Sequence, residues 1–109
     1  MTYQDVASMV SEIGVPYAYY QFPDDTEQAT PFVCFYFPDT DDVFADNINY
    51  QRINALNLEL YTDDKDFEME AQVESVLELH EMTYTKSESY IDSEKMYEVL
   101  YQMEVIING

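Results

Sequence analysis

The sequence predicts an α+β domain in which a small antiparallel sheet carries two packed helices, in the order α-β-β-β-α-β-β. Two stretches repeat apolar residues at helical spacing, which predicts the helices. Several short stretches are rich in aromatic and β-branched residues, which predicts the strands. With 109 residues the chain is long enough for one hydrophobic core, so residues 1–109 are expected to form a single domain.

The first helix and the first strand lie in the first 22 residues. Thr2 and Asp5 have the spacing of a capping box, and Gly14 is expected to end the helix. The apolar stripe of this helix consists of Val6, Met9, Val10 and Ile13. Residues 17–22 are rich in aromatic side chains and lie between two prolines, which predicts the first strand.

Residues 32–37 are apolar at every position, which predicts a strand covered on both faces. Helices would cover one face and a neighbouring subunit the other. Residues 38–47 form an acidic loop with Val43 and Phe44 near its middle. We expect this loop to be a flexible arm that becomes ordered on contact with a partner.

The third strand is expected within residues 49–61, where the apolar alternation changes phase. Ile53 and Ala55 are at odd positions, and the leucines that follow are at the even positions 56, 58 and 60. A bulge within residues 54–57 would explain this change.

The second helix and the last two strands follow. Asp63, Asp64 and Asp66 are N-cap candidates. The apolar stripe behind them consists of Met69, Val73, Val76, Leu77 and His80. Residues 83–90 are polar and favour a strand, and residues 97–107 alternate without a break, which predicts the final strand.

The charge is strongly negative: four Lys and Arg against 23 Asp and Glu give a formal net charge of −19. Such a chain repels phosphate backbones, so tight nucleic-acid binding is not expected. Solubility explains this charge as well as a specific electrostatic role does. The sequence has no apolar run of about 18 residues and no signal peptide, so we expect no membrane partner.

The sequence has no pattern that predicts catalysis or a cofactor, and the chain is not expected to be an enzyme. Cys34, the only cysteine, lies in an apolar strand, where it should be buried and unreactive. His80, the only histidine, is expected to cap a helix end and could pair with Glu81 or Asp66. The chain has two glycines, too few for a glycine-rich phosphate loop.

The acidic loop also has the composition of a calcium site, because Asp39, Asp41, Asp42 and Asp46 could supply oxygen ligands. In the EF-hand register, however, Phe44 stands where glycine is needed and Tyr50 where the bidentate glutamate is needed. A solvated acidic loop is therefore favoured, and no metal is expected.

The eleven tyrosines point to contact surfaces, because tyrosine combines a large apolar area with a polar tip. We expect about half of them to pack within the domain and the others to lie at a subunit interface. The residues predicted for that interface are Tyr19, Tyr20, Val43, Phe44 and Tyr50.

Three stretches together resemble the tail terminator or tail-completion proteins of long-tailed phages and prophages, from the head-to-tail joining region. They are PFVCFYF at residues 31–37, NLELYTDDKDFE at residues 57–68 and YEVLYQMEV at residues 97–105. The resemblance implies a homo-oligomeric ring, usually a hexamer, that caps the tail tube, meets the head connector and leaves a channel for DNA. It also implies assembly in the host cytoplasm, followed by incorporation into the virion.

An acidic channel would let DNA pass without binding it. The acidic loop residues expected to face the channel are Asp24, Asp25, Glu27, Asp41, Asp42 and Asp46. The alternative function is an acidic DNA mimic that inhibits a host DNA-binding protein. The two readings differ in oligomeric state, since a ring is a closed head-to-tail assembly and a mimic would be a monomer or twofold dimer.

Overall fold

The computed structural model describes residues 1–23, 28–38, 40–42 and 52–107. The helices are α1 (Tyr3–Ser11) and α2 (Phe67–Leu79), and the strands are β1 (Tyr17–Tyr19), β2 (Phe32–Tyr36), β3 (Thr40–Asp42), β4 (Arg52–Thr62), β5 (Tyr84–Ile91) and β6 (Met96–Ile107). The predicted α+β class and element order are confirmed. The one addition is β3, a three-residue strand within the predicted acidic loop.

The strands form one sheet in the order β1-β2-β4-β6-β5, and β3 also pairs with β4. The pairs β2–β4, β4–β6 and β6–β5 are antiparallel, as predicted. Strand β1 is parallel to β2, so the sheet is mixed, and this parallel pair is an addition to the predicted antiparallel sheet. Residues 20–31 connect β1 to β2 and have about the length that a parallel pair requires.

The predicted bulge in β4 was also wrong. Strand β4 pairs with β6 in an unbroken register from residue 52 to residue 62. The phase change arises because Asn54, a polar residue, occupies a buried position on the face that carries Leu56, Leu58 and Leu60. On its other side β4 pairs with β2 and then with β3. The register shifts by one residue between these two strands, so the irregularity in pairing lies there.

Both helices pack on one face of the sheet, which we call the covered face. Their apolar residues and the alternate residues of β2, β4 and β6 form the core: Val6, Met9, Val10, Ile13, Val33, Phe35, Leu56, Leu58, Leu60, Met69, Val73, Val76, Leu77, Val99, Tyr101, Met103, Val105 and Ile107. The predicted stripes of both helices are therefore confirmed, except that His80 is at the helix end and only half-buried.

The helix ends are fixed by local hydrogen bonds. The backbone N–H of Asp5 donates to Thr2 Oγ1 at 3.1 Å, and the N–H of Thr2 donates to Asp5 Oδ2 at 2.8 Å, which completes the predicted capping box. Asp66 caps α2 by accepting from the N–H of Met69 at 3.0 Å. His80 pairs with Glu12 at 3.0 Å, so neither partner expected from the sequence is the one observed.

A network of ion pairs joins α2 to β5 on the covered face. The buried carboxylate of Glu70 lies 2.8 Å from Lys65 Nζ and 2.8 Å from Lys86 Nζ. Lys86 also lies 2.7 Å from Glu74, whose carboxylate accepts from the Tyr101 hydroxyl at 2.7 Å. Burial opposes ionisation of Glu70, but the hydrogen bonds from the two lysines outweigh it and lower the pKa of this carboxyl.

Candidate interaction surface

The second face of the sheet, which we call the open face, is covered by neither helix. The strand registers place its central residues in three rows across β2, β4 and β6. The rows are Phe32-Tyr61-Glu98, Cys34-Glu59-Leu100 and Tyr36-Asn57-Gln102. A cleft of about 720 Å³ lies over this face, between the β1–β2 connection and the β5–β6 turn.

Aromatic rings border the cleft on the β2 side. The rings of Phe32 and Tyr61 stack with centroids 4.9 Å apart, and Phe22 meets Phe32 edge to face at 5.4 Å. Tyr20 packs beside Tyr36 with centroids 5.4 Å apart. Because these rings remain partly or largely exposed, this border offers apolar area to another molecule.

On the open face two carboxyl groups are joined by one phenol, and Glu59 and Tyr61 of this group line the cleft. The hydroxyl of Tyr61 lies 2.9 Å from Glu59 Oε1 and 2.9 Å from Glu98 Oε2. A phenol has one proton and donates to one carboxylate at a time. Burial raises the pKa of Glu59, and the nearby charge of Glu98 raises it further, so this carboxyl takes up a proton more readily than an exposed glutamate.

A second tyrosine completes the network around Glu59. The hydroxyl of Tyr36 donates to Glu59 Oε2 at 3.2 Å and accepts from Asn57 Nδ2 at 3.3 Å. The floor therefore presents carboxyl oxygens held between aromatic rings. This arrangement suits contact with a surface that supplies both apolar groups and hydrogen-bond donors.

Cys34 lies at the centre of this floor but does not form a reactive site. It is 4% exposed, which confirms the predicted burial. Burial and the charge of Glu59 raise the pKa of its thiol to about 11, so the thiol is protonated at neutral pH.

Two residues of the predicted interface, Tyr19 and Tyr20, are described, and both are exposed, at 53% and 63%. The structure brings them to the same edge of the sheet but to opposite faces. Tyr19 contacts Phe35 edge to face at 5.3 Å on the covered side, and Tyr20 lies over the open face.

Tyr20 adopts a backbone conformation that is uncommon for an aromatic residue. Its φ is 71°. The N–H of Gln21 donates to the carbonyl of Tyr19 at 2.9 Å, which closes a three-residue turn around Tyr20. Such a three-residue turn costs on the order of 1–3 kcal/mol, and strain of this kind concentrates at functional positions. The interface role of Tyr20 stays a prediction.

The other predicted site residues cannot be placed by their side chains. Val43, Phe44, Tyr50, Asp24, Asp25, Glu27 and Asp46 lie outside the described residues. The backbones of Asp41 and Asp42 lie in β3, opposite Ile53 and Arg52 of β4. The interface and channel roles of all these residues stay predictions.

The Glu59–Tyr61–Glu98 group was missed by sequence reasoning. Glu59 and Tyr61 are two residues apart in an alternating strand, and this spacing places them on one face. The position of Glu98 depends on the register between β4 and β6, which no local pattern gives.

Two searches of the described residues concern other kinds of function. Within residues 1–23, 28–38, 40–42 and 52–107, no group of three or more His, Cys, Asp or Glu side chains could hold a metal ion. In the same residues, no helix is long and apolar enough to cross a membrane.

The chain matches no protein-family model and none of the curated proteins. Its fold is similar to that of a solved chain from the virion of a native gene transfer agent particle. The TM-score is 0.67 at 12% sequence identity, and the alignment covers 98% of this chain and 91% of that one. The likeness at this low identity shows a shared fold over nearly the whole length of both chains.

Proposed function

We propose that this chain is a structural protein of a phage-like virion, a tail terminator or tail-completion ring subunit of the head-to-tail joining region. The observation that carries the proposal is the fold likeness, over 98% of this chain, to a chain of the gene transfer agent virion. The resemblance of residues 31–37, 57–68 and 97–105 to tail terminator proteins supports the finer assignment. No chemistry is needed for such a role.

A ring requires two different surfaces that bind each other head to tail. The two edges of the sheet are suited to this. One edge carries β1 with the exposed side chains of Tyr17, Tyr19 and Tyr20. The other edge carries β5, whose eight residues are almost all exposed and include Tyr90. Contact between the first edge of one subunit and the second edge of the next would repeat around a closed ring.

The net charge of −19 fits a channel through which DNA passes. Carboxylates within about a Debye length, roughly 8 Å at physiological salt, repel duplex phosphates. In this proposal Asp24, Asp25 and Glu27, together with Asp41, Asp42 and Asp46, line the channel. The partners are the tail-tube protein and the head connector, and the subunit passes from the host cytoplasm into the virion.

Native mass spectrometry of the chain, alone and mixed with the tail-tube protein of the same phage, tests the ring. We expect a closed oligomer of the 12.8 kDa chain in at least one of these samples. Tyr20→Ala and Tyr90→Ala should each weaken it, because they change opposite edges of the sheet. Leu79→Ala is the matched control, since Leu79 is 73% exposed and lies at the end of α2, on neither edge strand.

Monomers or twofold dimers in both samples would contradict the ring. Inhibition of a nuclease or repressor by such a monomer would then support the DNA mimic, which the strong negative charge alone also favours. The same spectra therefore separate the two functions.

The channel is tested by replacing Asp24, Asp25 and Glu27 with Lys in assembled particles. The particles should form but eject DNA poorly, because the channel wall would attract phosphates. The control replaces Glu68 and Glu78 with Lys, since both lie exposed on α2. Normal ejection by the loop variant would show that these three residues do not line the channel.

A further inference from the structure

Asn54 has a buried oxygen atom that lacks a hydrogen-bond partner. The residue is 1% exposed, and its Nδ2 donates to the hydroxyl of Tyr3 at 3.0 Å. Its Oδ1 accepts no hydrogen bond from the described residues. Buried carbonyl oxygens nearly always have a partner, so this atom needs an explanation, and a ligand that donates to it is one.

A groove of about 570 Å³ lies beside Asn54, between α1 and the edge of the sheet. It is lined by Tyr3, Gln4, Ala7, Tyr19, Phe35, Phe37 and Asn54. Tyr3 meets Phe37 edge to face with centroids 5.0 Å apart, and Tyr19 lies 6.1 Å from Phe37. Since Tyr3 and Tyr19 are both exposed, the groove presents aromatic surface to the solvent next to one unpaired acceptor.

We propose that this groove binds an arginine side chain of a basic partner protein. A guanidinium group supplies N–H donors for Asn54 Oδ1 and stacks on aromatic rings through its planar face. Its apolar stem would lie along the rings of Tyr3 and Tyr19. A carboxylate ligand would have no proton to donate and would be repelled by the net charge of −19.

The charge of this chain is the argument for a basic partner. Of its four Lys and Arg residues, Lys65 and Lys86 are already paired with Glu70, Glu74 and Glu88. With 23 Asp and Glu against four Lys and Arg, the chain as a whole attracts a basic partner. Tyr19 also lies on the β1 edge assigned to the ring contact, so the groove is tested on the unassembled chain, apart from the test of the ring.

The test is an NMR titration of the isotope-labelled chain with the peptide Ac-Gly-Arg-Gly-NH₂. We expect saturable shifts of the Asn54 side-chain amide and of the Tyr3 and Tyr19 signals, with a Kd on the order of 1–10 mM for a single side chain. Ac-Gly-Nle-Gly-NH₂, which keeps the apolar stem and lacks the cation, should bind at least about tenfold more weakly.

Two variants separate the acceptor from the rings. Asn54→Leu removes the unpaired oxygen and should weaken arginine binding without weakening norleucine binding. Tyr19→Leu changes an exposed ring and should weaken arginine binding even if the Asn54 variant fails to fold. Tyr90→Leu is the control, because Tyr90 is similarly exposed on the opposite edge strand and should leave binding unchanged.

Equal binding of the two peptides would overturn the proposal, since the groove would then select apolar stems alone. Shifts confined to Glu59 and Glu98 would also overturn it by placing the cation in the cleft of the open face. Shifts at Asn54 that depend on the concentration of the protein without peptide would identify a second copy as the occupant. Native mass spectrometry tests the ring separately, with its own variants.

Discussion

The two faces of the sheet are built from alternate residues of the same three strands and have opposite character. On the covered face the rows Val33-Leu60-Val99 and Phe35-Leu58-Tyr101 are buried beneath the helices. On the open face the neighbouring rows combine aromatic rings with Glu59 and Glu98. The strands thus hold the domain together through one set of residues and leave the other set without a helix over it.

A glutamate near each face makes the difference measurable. Glu70 is buried between Lys65 and Lys86, and its pKa is lowered. Glu59 is partly buried beside a second carboxyl group, and its pKa is raised. Burial by itself would raise the pKa of both carboxyls. The net direction of each shift therefore depends on whether cations are within reach of the carboxylate. On the covered side two lysines compensate the charge of Glu70. On the open face the charge of Glu59 is stabilised by hydrogen bonds from tyrosines, and this does not offset its burial.

The largest effect is expected from Leu58→Ala on the covered face. Leu58 is fully buried, and its truncation should lower the free energy of unfolding by about 2–5 kcal/mol, because a cavity remains. Leu100→Ala is the matched change on the open face, where the side chain is only half-buried, and should cost about 1 kcal/mol. Urea unfolding of both variants checks this. Equal losses would mean that the open face is as important for folding as the covered one.

Cys34 tests whether the centre of the open face is accessible. Because its pKa is raised from 9.0 to about 11, the thiolate fraction near pH 8 should be about a hundredfold lower than in an unfolded chain. Reaction with a thiol reagent should therefore be at least about a hundredfold slower in buffer than in concentrated urea. Rapid labelling of the native chain would show that the floor of the cleft opens to solvent.

The parts of the fold that depend on local patterns were predicted well. The capping box at Thr2, the cap at Asp66 and the alternation of β6 all follow from spacings within one element. The parallel pairing of β1 was not predicted, because it depends on contacts across the long connection to β2. The prediction of a bulge in β4 was wrong because Asn54, a polar residue, lies on the buried face. The alternation of apolar residues treats such a position as solvent-facing.

The candidate surface was predicted only in part, for a related reason. Tyr19 and Tyr20 are tyrosines in a predicted strand, which is the reason for expecting them at an interface. The structure shows both side chains exposed, and the interface itself stays a prediction. The partnership of Glu98 with Tyr61 and that of Glu70 with Lys86 join residues far apart in the chain. Composition shows that carboxylates are abundant, but it does not show which of them are close together or near a cation.

Glu70→Gln should lower the free energy of unfolding at pH 7 by about 1–3 kcal/mol, because charge-assisted hydrogen bonds from two lysines are weakened. The pKa of Glu70 is lowered in the folded state, so its contribution is present above the ordinary value of 4.5 and is lost as the pH falls through the folded value. The difference between wild type and variant should therefore shrink in acid. Glu68→Gln, on the exposed side of α2, should change stability by less than about 0.5 kcal/mol. A difference for Glu70→Gln that stayed constant down to pH 3 would contradict the ionic explanation.

The smallest effect has the opposite sign and belongs to Glu59. Its pKa is raised in the folded state, so folding disfavours the ionised carboxyl, and the cost is present at pH values above the folded pKa. Glu59→Gln keeps an oxygen that accepts from Tyr61 and removes the charge beside Glu98. The variant should be more stable than wild type at pH 7 by less than about 1 kcal/mol, and the gain should vanish as the pH falls below the ordinary value of 4.5. Urea unfolding at several pH values measures the difference, with Glu104→Gln as the control because Glu104 is exposed on the same face. A loss of stability at pH 7 would mean that the hydrogen bonds of the carboxylate to Tyr61 and Tyr36 outweigh the cost of its charge, and the open face would then be as well compensated as the covered one.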